Sequence, residues 1–404
     1  MANKPPVLIM DLYYGALQVA RSLGSRGIPV YGIDKLPDPI AAHSRYITRL
    51  KAPERDEELK DFMIDFSKNL ENKPVLFPMS DYYIRFFLKF RNALSGHYLF
   101  PMDNPGILAK LVSKVETAKL LAQLEIDCPK TIFFNKGISS LPSLDGITFP
   151  CILKPNYHDY WEEDTRATEF LGPGQRIAYI ENHAALREAV NVLNPMDDMV
   201  LQEFIPGYSE NHYYYVGYRG KKGIILLSYV GNKIRTFPDC LGCETLLRSV
   251  DNPELVEQGN RILHRLNYYG PAGIDFKFDP RDSKYKVIEI NARLGINDCY
   301  LAEFGADMPN IYYLDSQKKE LSPHNNCPAG ITWYHFGFDF DWMRTYRRKY
   351  NLSWSSWIRD LVFGFNNYAV FSCRDPAPFM HSLLKWTSRR TRKALGLDGR
   401  TSNL

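Results

Sequence analysis

A chain of 404 residues is longer than one hydrophobic core usually serves, which predicts two to four packed units. With 45% hydrophobic, 24% charged and 14% aromatic residues, the composition excludes a disordered, collagen-like or disulfide-stapled protein. Residues 381–404 hold six Lys or Arg against one acid, so this stretch carries +5 of the net +4 and the rest of the chain −1, which excludes a whole-body nucleic-acid binder.

No apolar run approaches the length of a membrane span, and seven scattered cysteines without an export signal fit reduced thiols. A cytoplasmic location is therefore expected. Cys240 and Cys243 form a lone C-x-x-C with no second Cys or His pair nearby, which reads as structural rather than zinc-binding.

Val7 to Met10 is a short buried-strand pattern followed by Asp11-Leu-Tyr-Tyr-Gly15 and apolar positions at helical spacing, the opening of an α/β unit. Gly27 to Asp34 supplies the next strand. Gly15 stands alone where a dinucleotide fingerprint needs three glycines, so an NAD site is not expected. Pro74 to Pro78 is a further strand, and Ser80 and Asp81 lie at its C-terminal end, where parallel sheets bind ligands. Asn104 and Pro105 lead into a helical stretch running through Lys114 to Leu121. Strand-like runs follow at Cys151–Lys154, Met199–Ile205, Tyr213–Tyr218 and Gly223–Tyr229, the last two around a tight turn. Ala272 to Phe278 and Tyr285 to Ile290 flank the turn Asp279-Pro-Arg-Asp-Ser283, a hairpin with acids on both strands.

Across that hairpin Asp275 can face Glu289, and Asn291 projects to the same side as Glu289. Three hard oxygen ligands in one space suit Mg2+, although a solvated hairpin with scattered acids would carry the same pattern. Lys154 ends an apolar strand, Arg293 follows Asn291 by two residues, and Lys114 opens a helix after Ser113. Such cations converging on paired carboxylates have the electrostatics that hold a polyphosphate.

Over residues 5–320 the chain resembles the ATP-grasp superfamily, and within it the carboxylate–amine ligases of D-aspartate ligase type. The motifs are Phe149-Pro-Cys-Ile-Leu-Lys-Pro155, Val200-Leu-Gln-Glu-Phe-Ile-Pro-Gly207, Gly273-Ile-Asp275 and Ile288-Glu-Ile-Asn-Ala-Arg-Leu-Gly295. The resemblance implies an α/β architecture with an α+β clamp. Residues 1–100 form a doubly wound parallel-sheet domain, 101–198 a linker helix and small lobe, 199–325 a large lobe with the metal hairpin, and 326–404 an aromatic-rich, basic extension.

It also implies roles. Lys114 and Lys154 hold phosphates, and Gln202, Glu203, Phe204 and Ile205 form the hinge that reads and covers the adenine. Glu210 holds the ribose, Asp275, Glu289 and Asn291 bind Mg2+ or Mn2+, and Arg293 acts with Lys154 at the transferred phosphoryl group. ATP is the implied cosubstrate, with ADP and phosphate as products of C–N bond formation between a small carboxylic acid and an amine. A carboxylase-type enzyme and a nucleotide-binding regulator are the alternatives. Acceptor selection is expected at Tyr13, Gly15, Ser80 and Asp81, with the Tyr213–Tyr218 region and the lid. That lid lacks the family's glycine-rich loop at 156–161, where His158 and Asp159 invite an acid–base reading but suit plain packing better.

In the extension, Phe379, Leu383, Leu384 and Trp386 precede the basic cluster. They suggest either a terminal helix packed on the body or a peripheral contact with the inner membrane face, fitting an envelope or surface-polysaccharide precursor as substrate. Family members commonly pair, and the sequence leaves the oligomeric state, a homodimer included, open.

Overall fold

The computed structural model describes residues 4–394 apart from 103, 139–140, 158, 160, 162–164, 172–174, 176, 194–196, 325–326 and 364–366. His158, Gly172 and Gly174 lie outside the described residues.

Four parallel strands open the chain: β1 (Val7–Met10), β2 (Val30–Asp34), β3 (Ile47–Lys51) and β4 (Val75–Pro78), in the order β3-β2-β1-β4. Helices Tyr14–Gly24, Asp56–Lys68 and Asp81–Lys89 follow strands. The strands β1 and β4 are buried throughout, which is why they read as unbroken apolar runs rather than alternating ones. From β1 the chain first winds outward through β2 and β3, then returns to place β4 on the other side of β1. That reversal opens a crevice at the C-terminal ends of β1 and β4, between Asp11–Gly15 and Met79–Asp81.

The expected helix from 104 to 121 is two helices, Pro105–Leu111 and Lys114–Gln123. The Ser113 hydroxyl accepts from the Glu116 N–H at 3.2 Å and caps the second. An antiparallel sheet follows from β5 (Thr131–Phe134), β6 (Cys151–Pro155), β7 (Ala178–Ile180) and β8 (Met199–Glu203), in the order β5-β8-β6-β7.

The third sheet holds β9 (His212–Arg219), β10 (Ile225–Phe237), β11 (Cys243–Val250), β12 (Gly270–Asp279), β13 (Lys284–Asn291), β14 (Thr332–Tyr334) and β15 (Asn367–Tyr368). Its order is β13-β12-β9-β10-β11-β14-β15, antiparallel except for the last pair. The segment expected as a separate extension therefore completes this sheet, pairing Leu246 with Tyr334. Asp339, fully buried, accepts from Arg235 Nη1 and Trp357 Nε1, each at 2.7 Å, and from the Thr245 hydroxyl at 2.5 Å. Further on, Asp375 binds Arg21 of the first helix at 3.0 Å. A short strand edge and two buried aspartates dock these residues, neither of which a composition argument reveals.

Helix Ala377–Ala394 follows the packed alternative in part. Phe379, Leu383 and Trp386 face inward at least partly, Trp386 lying 5.2 Å from the Phe340 ring, whereas Leu384 is exposed. Most of the apolar face read as membrane-seeking is spent on the body. Among the described residues no helix is long and apolar enough to cross a membrane.

One continuous core runs from Val7 and Phe77 of the first sheet to Tyr215, Leu247 and Ile290 of the third. The small sheet has its own core around Phe134, Leu153, Trp161 and Leu201. The first and third sheets thus share one core while the small lobe has its own.

Candidate active site

Between the small lobe and the third sheet lies a cleft lined by Lys114, Lys154 and Gln202 on one side and Glu289 on the other. Lys154 sits near the end of β6, and its Nζ donates to Gln202 Oε1 at 2.9 Å on the neighbouring β8. Burial pushes this ammonium below its ordinary range and Lys114 adds to that, while Glu289 and Asp275 oppose it. Lys114 opens the helix capped by Ser113, whose hydroxyl donates to Asn156 Oδ1 at 2.8 Å. The same oxygen accepts the Val115 N–H at 3.1 Å. Asn156, one residue beyond β6, therefore fixes the two lysines as a unit; its value was invisible in the sequence because its partners lie about 40 residues away.

The third sheet sets the carboxylates. Asp275 on β12 pairs directly with Glu289 on β13, and Asn291 Nδ2 approaches Asp275 Oδ2 at 3.5 Å. Cations occupy both carboxylates: Lys114 Nζ lies 3.2 Å from Glu289, and Lys233 Nζ is hydrogen-bonded to Asp275. Lys233 also lies 3.1 Å from Glu244, which accepts from Asn297 Nδ2 at 2.6 Å. Burial raises the Asp275 carboxyl and Lys233 pulls it back; the two carboxylates hold Lys233 well above the usual lysine range despite its own burial. An oxygen set that already attracts two ammonium groups fits a divalent cation chemically.

Lys233 and Glu244 were missed at the sequence level. The available signal was Lys233 and Arg235 within a long strand-like run, where a cation that is buried needs an anionic partner. Gly273 is also explained here: a Cβ would lie 1.8 Å from the Tyr214 hydroxyl, so only glycine lets that tyrosine pass beneath the metal pair.

Arg293 leaves the hairpin toward the first sheet. Its Nε donates to Asp81 Oδ1 at 2.7 Å, and its Nη2 to Asn291 Oδ1 at 3.3 Å. Burial lowers this guanidinium, but Asp81 outweighs it and keeps the charge. Asp81, Ser80 and Gly15 all edge the crevice of the first sheet; a Cβ on Gly15 would meet the Gly295 carbonyl at 3.0 Å. Tyr13 is exposed at the rim. Asp11, which the sequence reading passed over, stands here with φ +81°, its carboxyl bonded to Ser80 and pushed up to about 6 by burial and by Asp34.

The hinge residues divide. The Glu203 and Phe204 N–H groups donate to the Lys130 and Pro150 carbonyls at 2.9 and 3.0 Å, so those two are spent on structure. The Glu203 carboxylate binds Arg281 at 2.7 Å. Ile205 is buried, Phe204 half-buried, and Glu210 sits exposed in the turn Ser209–Asn211. Asp159, weighed as an acid–base group, is bonded to Arg85 of the first domain. Cys240 and Cys243 are not joined in a disulfide.

Two lobes closing on two lysines and a carboxylate hairpin match known folds. An N5-carboxyaminoimidazole synthetase from Staphylococcus aureus, solved with ADP, superposes with a TM-score of 0.61 at 14% identity, covering 80% of this chain and 79% of that one. An L-amino acid ligase from Bacillus licheniformis gives 0.60 at 16% identity, covering 78% and 75%. Residues 244–305, which carry the hairpin, match the ATP-binding domain family of the carbamoyl-phosphate synthase L chain.

The chain has the ATP-grasp fold.

In sequence the chain is similar to the D-aspartate ligase of Enterococcus faecium (strain Aus0004), 22% identical over 248 residues. That alignment covers 58% of this chain and 57% of the ligase, so the match spans little more than half of the curated relative.

Proposed function

We propose that this protein is an ATP-dependent carboxylate–amine ligase that forms an amide through an acyl phosphate. The observation that carries this reading is the convergence of Lys114, Lys154 and Arg293 on the Asp275–Glu289 pair, beside a crevice holding Asp11, Ser80 and Asp81. A carboxylate does not acylate an amine directly because oxide is too poor a leaving group. Attack of a carboxylate oxygen on the γ-phosphorus of ATP releases ADP and gives an acyl phosphate. The amine nitrogen then attacks the acyl carbon, loses its proton and expels phosphate.

In that sequence Lys154 and Lys114 hold the phosphate oxygens, and Arg293, anchored by Asp81, meets charge developing at the transferred group. Asp275, Glu289 and Asn291 are the residues that would hold Mg2+ or Mn2+, which supplies Lewis-acid neutralisation of phosphate charge. The crevice at β1 and β4 is where the second substrate would dock, an amino acid or an envelope or surface-polysaccharide precursor.

Mg-ATP, hydroxylamine and a panel of amino acids and simple carboxylic acids test this, with ADP followed in parallel. A hydroxamate from one panel member supports the ligase reading. ADP release that depends on bicarbonate alone would favour the carboxylase-type alternative, and ADP binding without turnover on any panel would favour a regulator.

A peripheral membrane contact belongs to the same reading. Residues 331–404 hold twelve Lys or Arg against five acids, so they carry +7 and the rest −3. Ile358, Val362, Phe363, Phe371, Met380 and Leu384 are exposed within this segment, Phe363 at 84%. Apolar side chains beside a cationic run suit an anionic leaflet. Sedimentation with phosphatidylserine vesicles should exceed that with phosphatidylcholine and fall on Val362→Ser with Phe363→Ser; equal sedimentation of the double variant would remove this contact.

A further inference from the structure

Lys277 lies on β12 two residues beyond Asp275, on the hinge side of the metal carboxylates. Its side chain is buried at 3% exposure, and its Nζ has no hydrogen-bond partner among the described residues. The ammonium instead rests 4.2 Å from the centroid of the Phe204 ring on the hinge. Directly across the ladder is His212 of β9, whose Nε2 is also buried without a partner. Two adjacent polar groups left unsatisfied beneath a hinge are costly to bury, and an apolar pair would pack there without that cost. Such an arrangement persists where a ligand completes it.

Spacing tells which part of the ligand. A strand rises about 3.3 Å per residue, so Lys277 stands roughly 7 Å from Asp275 toward Phe204. A nucleotide with its phosphates at Lys154, Lys114 and the carboxylates extends its ribose and base over that interval. We propose that Lys277, assisted by His212, receives the nucleoside end of the bound nucleotide, its ammonium donating beside the Phe204 ring to a ring-nitrogen or ribose-oxygen acceptor. This rests on the nucleotide-binding reading above and adds the residue that selects the nucleoside. Phe204 and Ile205 supply apolar area only; Lys277 supplies a charged donor, which gives acceptor-rich bases an advantage that area alone does not.

The test compares wild-type protein with Lys277→Met, close in length and apolar, by calorimetric titration of ADP and of Mg-tripolyphosphate, together with thermal melting of the unliganded protein. The expected result is an ADP affinity at least about tenfold weaker, an unchanged tripolyphosphate affinity, and a raised melting temperature because a partnerless buried cation has gone. An equal loss for both ligands would make Lys277 a phosphate group, and an unchanged ADP affinity with a lowered melting temperature would make it structural; either overturns the proposal. Lys277→Gln, which retains a neutral donor, should recover part of the ADP affinity and provides the readout if the methionine variant does not fold. Wild-type protein that binds no ADP would overturn the nucleotide reading itself, and this one with it.

Discussion

Arg293 and Asp81, 212 residues apart in the chain, form a partly buried ion pair at 2.7 Å that joins the exit of the carboxylate hairpin to the crevice of the first sheet. The guanidinium is thereby held between the cleft that faces the lysines and the crevice proposed for the second substrate. Arg293→Ala should lower the rate of ADP formation by about 10² to 10³, the usual loss for one electrostatic group at a transition state. Asp81→Asn, which leaves the charge but loosens its aim, should lower it less. Steady-state rates for the two variants check this ordering, and equal losses would contradict the positioning role of Asp81.

Glu289 faces Asp275 across the ladder and also holds Lys114 at 3.2 Å, so its charge would serve both the proposed cation site and the proposed phosphate lysine. Glu289→Gln should reduce turnover by at least about 10² and raise the Mg2+ concentration needed for half-activity. A titration of ADP release against Mg2+ measures both. Full turnover in this variant would mean that the metal pair has been misassigned.

Asp298 gives a prediction in pH. Burial pushes its carboxyl up to about 6, against the Gly295 N–H at 2.6 Å and the Tyr214 hydroxyl, which favour its ionised form. In the unfolded chain the group ionises near 4, so between about pH 4 and 6 the native state holds a proton that the unfolded state has lost. Stability from this residue is therefore greatest below pH 4 and declines as pH rises to about 6, by roughly 3 kcal/mol in all. Urea unfolding across pH 4 to 7 should show a shallower decline in Asp298→Asn than in the wild type.

Asp339 is the joint of the C-terminal segment, accepting from Arg235, Thr245 and Trp357. Asp339→Ala leaves the buried Arg235 guanidinium without its carboxylate, which should cost about 3–5 kcal/mol. Limited proteolysis within 336–363 should accelerate, since the helices there lose their shared anchor. Asp339→Asn, which keeps an acceptor, should be milder in both assays.

Several of these features could be read from residue order. The hairpin with Asp275, Glu289 and Asn291 is legible because strand period two and a polar turn fix which side chains share a face. The parallel strands β1 and β4 are legible because burial on both faces leaves unbroken apolar runs, and Lys154 stands out as a cation ending such a run. The glycine-poor lid segment and the C-x-x-C were also apparent, though neither led to chemistry.

What the tertiary structure alone decided is which distant elements meet. Lys233 and Glu244 come from β10 and β11 to share the charge of Asp275; Asn156 couples Lys114 to Lys154; Asp11 and Asp81 reach Arg293 only because the chain reverses at β1. Residues 331–368 add strands to a sheet that composition had left complete at β13. Local periodicity reports the face on which a side chain lies, whereas ion pairs, shared cores and strand order depend on contacts between residues far apart in the chain, which one sequence does not encode in any local pattern.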